Sequence, residues 1–475
     1  MARTVLPFTN GFYKSSSLPV SAQECVNWYP VIAQKPALTA EYLLGTPGLV
    51  QITVTSELKQ SRGGWLMDNV PYLVNGDTLY RVEENPYSTT ALGTISGTGR
   101  VSMADNGTQL MILVPGGDGY IYNKNTGILA QITDSDFIAN GNPQYVAFVD
   151  GYFVCTTDSK KFIKSALNDG LSWNALDFGT AESDPDNTVA PVVYKNQLFI
   201  MGTQTAEAFQ NVGGADFPFV RSGLFLSKGC YAPLSLINTQ DTFMFIGGGV
   251  NESPAVWALS GNSVQKISTD AIDILLQELT ADELTEVFAW TYAQKGAYFV
   301  GFAIPGSTLV YEFTSQRWHE RKSYVDELLG DYRVSVMLNA YGQIICADIY
   351  DGRVGVLDPD EYAEYDNPII RRVVTQPFIN NMQSVFVPSI ELTVESGVGN
   401  DACENPAILM ERSLDGKTWI AARAREIGRV GEYSRRAIWR RCGRAARMEL
   451  FRFTLSDPVK PVFALLTADI VGGDK

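Results

Sequence analysis

Leu110-Met111-Ile112-Leu113-Val114-Pro115-Gly116-Gly117-Asp118-Gly119-Tyr120-Ile121-Tyr122 is the stretch on which the fold turns. An unbroken apolar run enters the Gly116-Gly117-Asp118-Gly119 turn, and a second short strand of aromatic and β-branched residues leaves it. That order reads as a β-hairpin. The same arrangement occurs at Tyr72-Leu73-Val74, the turn Asn75-Gly76-Asp77, then Thr78-Leu79-Tyr80. Further copies begin at Tyr152-Phe153-Val154, Leu198-Phe199-Ile200, Phe243-Met244-Phe245-Ile246, Tyr298-Phe299-Val300 and Ile344-Ile345-Cys346, at an interval of about 40 to 55 residues. Several have a strand ahead of the hairpin, such as Tyr145-Val146-Ala147-Phe148-Val149 before Asp150-Gly151.

Four strands per repeat, radially arranged, leave only short protected edges, and this is how an all-β chain of this length escapes edge-to-edge aggregation. The predicted fold is therefore all-β: a β-propeller of six or seven blades over residues 61–384, with a β-sandwich with long loops as the alternative. Residues 1–60 are expected to contact neighbours or close the propeller. Asp270 to about Glu286 breaks the pattern, with Ile272, Leu275, Leu276 and Leu279 at helical spacing behind a Thr269 or Asp270 cap, which predicts one short inserted helix packed on the propeller. From Val385 the texture changes to alternating strands rich in Arg, so 385–475 is expected to be an additional carboxy-terminal β element.

Bulk composition agrees with short strands and tight turns. The 475 residues are 45% apolar and 19% charged, with 42 Gly, 22 Pro, 22 Tyr and 23 Phe. Met1 to Tyr13 carries one Arg and no long apolar stretch, and no run approaches the roughly 18 apolar residues of a spanning helix, so synthesis and folding in a cytoplasm without membrane insertion are expected. Six widely spaced cysteines, with no C-x-x-C pair, are expected to be buried free thiols.

Charge is unevenly placed. Arg412 to Arg452 holds twelve Arg or Lys against four Asp or Glu, so the rest of the chain carries -23 against the -15 of the whole. An acidic body with one basic surface suits a particular neighbour, because opposite potentials fix register across an interface; a solvated charged face is the alternative. The candidate partner interface is Arg435, Arg436, Arg440, Arg441, Arg444 and Arg447. The acidic body argues against sequence-specific DNA binding, which needs cations on phosphates.

Catalytic chemistry finds little support. A single histidine, His319, rules out multi-histidine metal sites and most imidazole schemes, and its place on a predicted strand favours a structural role. No G-x-S-x-G, P-loop or H-E-x-x-H is present. Asn168-Asp169-Gly170-Leu171-Ser172-Trp173 and Leu414-Asp415-Gly416-Lys417-Thr418-Trp419 resemble the Asp-box turns of sialidase-like propellers, where Asp caps its own turn and Trp packs between sheets. No catalytic, metal or cofactor-binding residue is assigned. The rival function is a glycan-binding or glycan-cleaving propeller, a receptor-binding tail component, since a carboxylate pair is defined by spatial separation and not by spacing in the chain.

Asn27-Trp28-Tyr29-Pro30 with Leu44-Gly45-Thr46-Pro47-Gly48-Leu49, Gly229-Cys230, Phe245-Ile246-Gly247, Lys266 through Ile272, Arg317-Trp318-His319-Glu320-Arg321, Gly428 through Tyr433, Trp439 through Ala445 and Ser456 through Lys460, in this order, resemble the packaged-DNA stabilisation proteins of short-tailed bacteriophages, the tail accessory or nozzle family. The resemblance spans most of the chain. It implies a structural virion protein without enzymatic activity or cofactor, a homo-oligomer of hexameric order in the virion tail, assembled in the host cytoplasm. Implied partners are a head-to-tail adaptor ring, tail fibres, spikes or a plug, and double-stranded DNA passing through the lumen without sequence-specific contact.

Overall fold

Leu110 and Ile112 point into one apolar cluster and Met111 and Leu113 into another, on opposite faces of the same strand. A strand covered on both faces is apolar at every position, which is why these runs lack alternation. Each fully buried aliphatic side chain contributes about 1.5–3 kcal/mol relative to exposure. The computed structural model describes residues 2–181, 186–214, 217–379, 384–445 and 448–472, and in it the same arithmetic repeats around a ring. Phe243 and Phe245 face the preceding sheet, Met244 and Ile246 the following one.

Seven antiparallel blades result. The first four run through 61–94, 102–131, 143–180 and 188–226, the fifth through 229–266, and the sixth through 288–325. The seventh has only three strands of its own, Val334–Ala340, Gln343–Asp348 and Arg353–Asp358. Its outer strand is Gly48–Val54, which pairs antiparallel with Arg353–Asp358. A seventh interface, Leu73 and Val82 against Leu338, Ile345 and Val354, joins the last blade to the first. Among the described residues no helix is long and apolar enough to cross a membrane.

The helical segment between blades five and six is divided in two, α1 (Asp270–Gln277) and α2 (Ala281–Glu286). Thr280 makes the break by capping α2: its Oγ1 accepts the Glu283 N–H at 3.2 Å while Glu283 Oε2 accepts the Thr280 N–H at 2.8 Å. Ile272, Leu276 and Leu284 pack between the two blades.

The second unit is a β-sandwich. One sheet runs in the order Ala437–Ala445, Val385–Val394, Val462–Gly472, Glu41–Gly45, Trp28–Ile32, with Ala2–Val5 also on Val462–Gly472; the other runs Cys25–Val26, Arg371–Val374, Met448–Leu455, Ala407–Ser413, Ile420–Glu426. Trp28, Trp439, Phe451, Phe453 and Phe463 fill the space between them. Blade six runs directly into the second sheet through a parallel pairing of Glu320 with Val26.

Where the two units meet, consecutive residues point different ways. The Trp28 ring lies 4.2 Å from Phe463 in the sandwich, and the Tyr29 ring 5.1 Å from Phe299 in the propeller. Asn27, at φ 57°, donates to the carbonyls of Lys322 (2.8 Å) and Ile370 (2.9 Å) and accepts the Lys322 N–H at 3.0 Å. Beside them three guanidiniums are fully buried. Arg333 pairs with Asp348 at 2.6 Å, Arg321 lies 4.9 Å from the Tyr292 ring and 5.3 Å from Tyr332, and Arg371 reaches the Thr46 and Tyr362 carbonyls at 3.4 Å. Glu364 in the same region is pushed up to about 7 by burial.

His319 is fully buried between Tyr29 and Phe299, with neither ring nitrogen hydrogen-bonded, and burial lowers its pKa to about 3. The unfolded chain takes up a proton near 6.5 that the folded chain refuses. Its contribution is present above pH 6.5 and is lost as pH falls toward 3, by up to about 1.4 kcal/mol per pH unit. Replacing His319→Phe keeps the ring contacts and removes this dependence, so denaturation midpoints of variant and parent should diverge below pH 6.5 in favour of the variant; parallel profiles would contradict the assignment.

Candidate functional site: the arginine edge and the propeller axis

The strand Ala437–Ala445 is an edge strand, paired on one side with Val385–Val394 and, among the described residues, with no strand on the other. An open edge offers carbonyls to any passing strand. Here three of them are already taken. Arg425 Nε donates to Ile438 O at 2.9 Å, Arg423 Nη1 to Arg440 O at 2.6 Å, and Arg412 Nη2 to Arg444 O at 3.1 Å. The donors come from the neighbouring edge of the other sheet, Ala407–Ser413 and Ile420–Glu426, so the arginines tie the two sheets together where no strand can. Arg412 is itself held by fully buried Glu449 at 2.5 Å, whose carboxyl burial pushes up to about 7. Gly443, at φ 103°, leaves the space that the Arg412 guanidinium occupies; a Cβ there would lie 1.7 Å from Nη1.

The six interface candidates separate on this scaffold. Arg436 forms a two-point ion pair with Glu391, which Arg3 also contacts, and Arg435 pairs with Glu426 at 2.6 Å. Arg440, Arg441 and Arg444 are exposed and have no carboxylate partner among the described residues; Arg444 lies 5.5 Å from the exposed Phe386 ring. Arg447 lies outside the described residues. The edge thus presents three guanidiniums without a carboxylate partner among the described residues, on a strand whose carbonyls at Ile438, Arg440 and Arg444 are taken. Sequence reading gave no hint of the capping by Arg412, Arg423 and Arg425, because which carbonyl a long side chain reaches depends on the packing of two sheets.

Both Asp-box-like turns have the expected internal bonds. Asp415 Oδ1 accepts the N–H groups of Lys417 (2.8 Å) and Thr418 (2.7 Å), which hold its pKa down at about 2, and Trp173 Nε1 donates to Gly170 O at 2.9 Å.

The inner strands of all seven blades surround an axial cavity of about 510 Å³. Its walls mix aliphatic, aromatic and polar side chains, Asp105 and Asn238 among them, and one guanidinium enters it. Arg100, from the start of blade two, crosses to blade seven to donate to Ser335 Oγ (3.3 Å) and Ser335 O (3.0 Å), and stacks 3.5 Å above the Phe288 ring of blade six.

Two family models match the chain: "Bacteriophage P22 Gp10, beta-propeller" over residues 4–362 and "Bacteriophage P22 Gp10, beta-sandwich" over residues 371–471. Comparison with curated proteins gives no match. Similar solved structures include the extracellular domain of the one component system BT4673 from B. thetaiotaomicron (10% identity, 75% of this chain, 44% of that one, TM-score 0.44). Another is PorZ, a surface component of the type-IX secretion system of Porphyromonas gingivalis (10% identity, 65% and 38% coverage, TM-score 0.40). The chain spans less than half the length of either, and no argument rests on them.

If the arginine caps close the edge, Arg423→Ala with Arg425→Ala should expose the carbonyls of Arg440 and Ile438 and give polydisperse, concentration-dependent association in sedimentation velocity. Sedimentation identical to that of the parent chain would contradict the capping role.

Proposed function

We propose that this chain, which belongs to the bacteriophage P22 Gp10 family through both its propeller and its sandwich, is the subunit of a tail nozzle: a ring, of hexameric order, below the portal and adaptor, that retains packaged DNA and conducts it during ejection. Membership of a family of phage packaged-DNA stabilisation proteins, over nearly the whole chain, is the observation that carries this reading. The glycan-binding alternative is not favoured by it.

Geometry supports placing the duplex between subunits. The axial cavity is about 510 Å³, within the range of about 300–1,000 Å³ that holds small molecules, and Arg100 lies across it. A cavity of small-molecule size is no passage for a duplex, and a ring of copies would supply one. An overall acidic body lining that passage would not grip phosphates, since each cationic contact adds a salt-dependent retarding interaction. Retention before infection would come from a closed constriction or plug at the far end, released by a change there.

The arginine edge is the surface proposed to meet an acidic partner in the tail, the adaptor ring, a fibre, a spike or a plug. Because the strand's carbonyls are capped, the contact would run through side chains of Arg440, Arg441 and Arg444 and not through an added strand. Charged pairs of this kind fix orientation and accelerate encounter more than they add affinity. Substituting all three, Arg440→Glu, Arg441→Glu and Arg444→Glu, should give a folded chain that fails to enter tails in an in vitro assembly assay. Incorporation at the parent level would sink the interface.

A further inference from the structure

The axial cavity contains donors that the fold does not use. Arginine has five N–H groups, and Arg100 spends two of them, both on Ser335. No carboxylate lies within ion-pair distance of it among the described residues. Exposed Glu286 acts on it only at longer range, and burial lowers its pKa to about 9, so the guanidinium remains charged at neutral pH without a counter-ion. Tyr145, on the inner strand of blade three, lines the same cavity and also feels Glu286. Its hydroxyl has no hydrogen-bond partner among the described residues, and burial pushes its pKa up to about 12, so it stays a protonated donor.

Every other polar side chain on the wall is engaged. Ser102 Oγ accepts the Val146 N–H at 3.0 Å, Asp105 Oδ1 accepts Trp65 Nε1–H at 2.8 Å, and Asn238 Nδ2 donates to Val193 O at 3.1 Å. What remains is a cation and a neutral donor on a wall of aliphatic and aromatic side chains, with the Asp105 carboxylate held by Trp65 on the blade-one side, in a cavity whose volume falls within the range, about 300–1,000 Å³, of small-molecule sites. A half-buried cation without a counter-charge is costly, and an entering anion relieves that cost only if its body tolerates apolar walls.

We propose that the propeller axis is a binding site for a small organic carboxylate. Its carboxylate takes the free N–H groups of Arg100 and the Tyr145 hydroxyl, and its apolar body rests on Val101, Val146, Val192, Leu236 and Val336. Inorganic anions fit less well, because they leave the apolar part of the wall facing water. This site is independent of the nozzle reading and of the arginine edge.

The test uses the full chain and saturation-transfer NMR with matched probes: hexanoate against hexanamide, and benzoate against benzamide. The acids should bind saturably and at least about tenfold more tightly than the amides. Arg100→Gln should abolish that preference. Tyr145→Phe, which keeps the ring and removes only the donor, should reduce it while leaving the thermal midpoint in place, so that a loss of binding is not a loss of fold. Equal binding of acid and amide, no saturable binding of either acid, or a preference unchanged in both variants would each overturn the site.

Discussion

Asn27 hydrogen-bonds at once to Lys322 of the propeller and Ile370 of the connection into the sandwich, and the two aromatic residues after it lock opposite cores. Trp28 belongs to the sandwich and Tyr29 to the interface of blades six and seven. The arrangement requires a positive φ at residue 27, which asparagine tolerates because its short side chain can bond to nearby backbone. From this point the chain runs through Glu41–Gly45 in the sandwich and then Gly48–Val54, which completes the seventh blade. The propeller cannot close, nor the first sandwich sheet fill, until segments more than 300 residues apart in sequence have met. Such long-range pairing joins the two units through shared strands and not through a linker alone.

The buried guanidiniums follow from the same constraint. Three backbone paths converge at the junction, leaving carbonyls such as those of Thr46 and Tyr362 without strand partners, and Arg371 answers them. Arg321 and Arg333 lean on tyrosine faces, where a desolvated cation gains about 2 kcal/mol or more from the ring quadrupole. At the far end of the sandwich, arginine serves again as a carbonyl cap, with the opposite outcome: the edge is closed to strands and open to side chains. Under the proposed role in a tail, the subunit would gain from both, a joint tied by buried side chains between its units and an edge whose carbonyls at Ile438, Arg440 and Arg444 are already taken.

Much of the propeller was legible because its second strands are buried on both faces and therefore apolar throughout. All seven quoted runs, from Tyr72-Leu73-Val74 to Ile344-Ile345-Cys346, are the second long strand of a blade. The inserted helix was visible in its spacing, while its division at Thr280 depended on a reciprocal cap. What the sequence concealed was partnership. Short pieces such as Cys25–Val26 and Glu41–Gly45 carry no period, and nothing local says that they join the two sheets of a sandwich whose longest strands lie after residue 371. The arginine block announced itself by charge, but charge counting could not separate Arg435 and Arg436, which pair with carboxylates within the chain, from Arg440, Arg441 and Arg444, which have no carboxylate partner among the described residues. Arg100 was invisible for a related reason: one cation before an apolar strand reads as a loop residue until seven strands are seen to surround it.

The claim most exposed to test is that copies of this chain form a ring with a duplex-wide channel. Negative-stain electron microscopy of the purified protein, alone and with its adaptor ring, measures it directly. Closed rings with a central opening, spontaneous or templated by the adaptor, are the predicted result; monomers that persist under both conditions would contradict the nozzle.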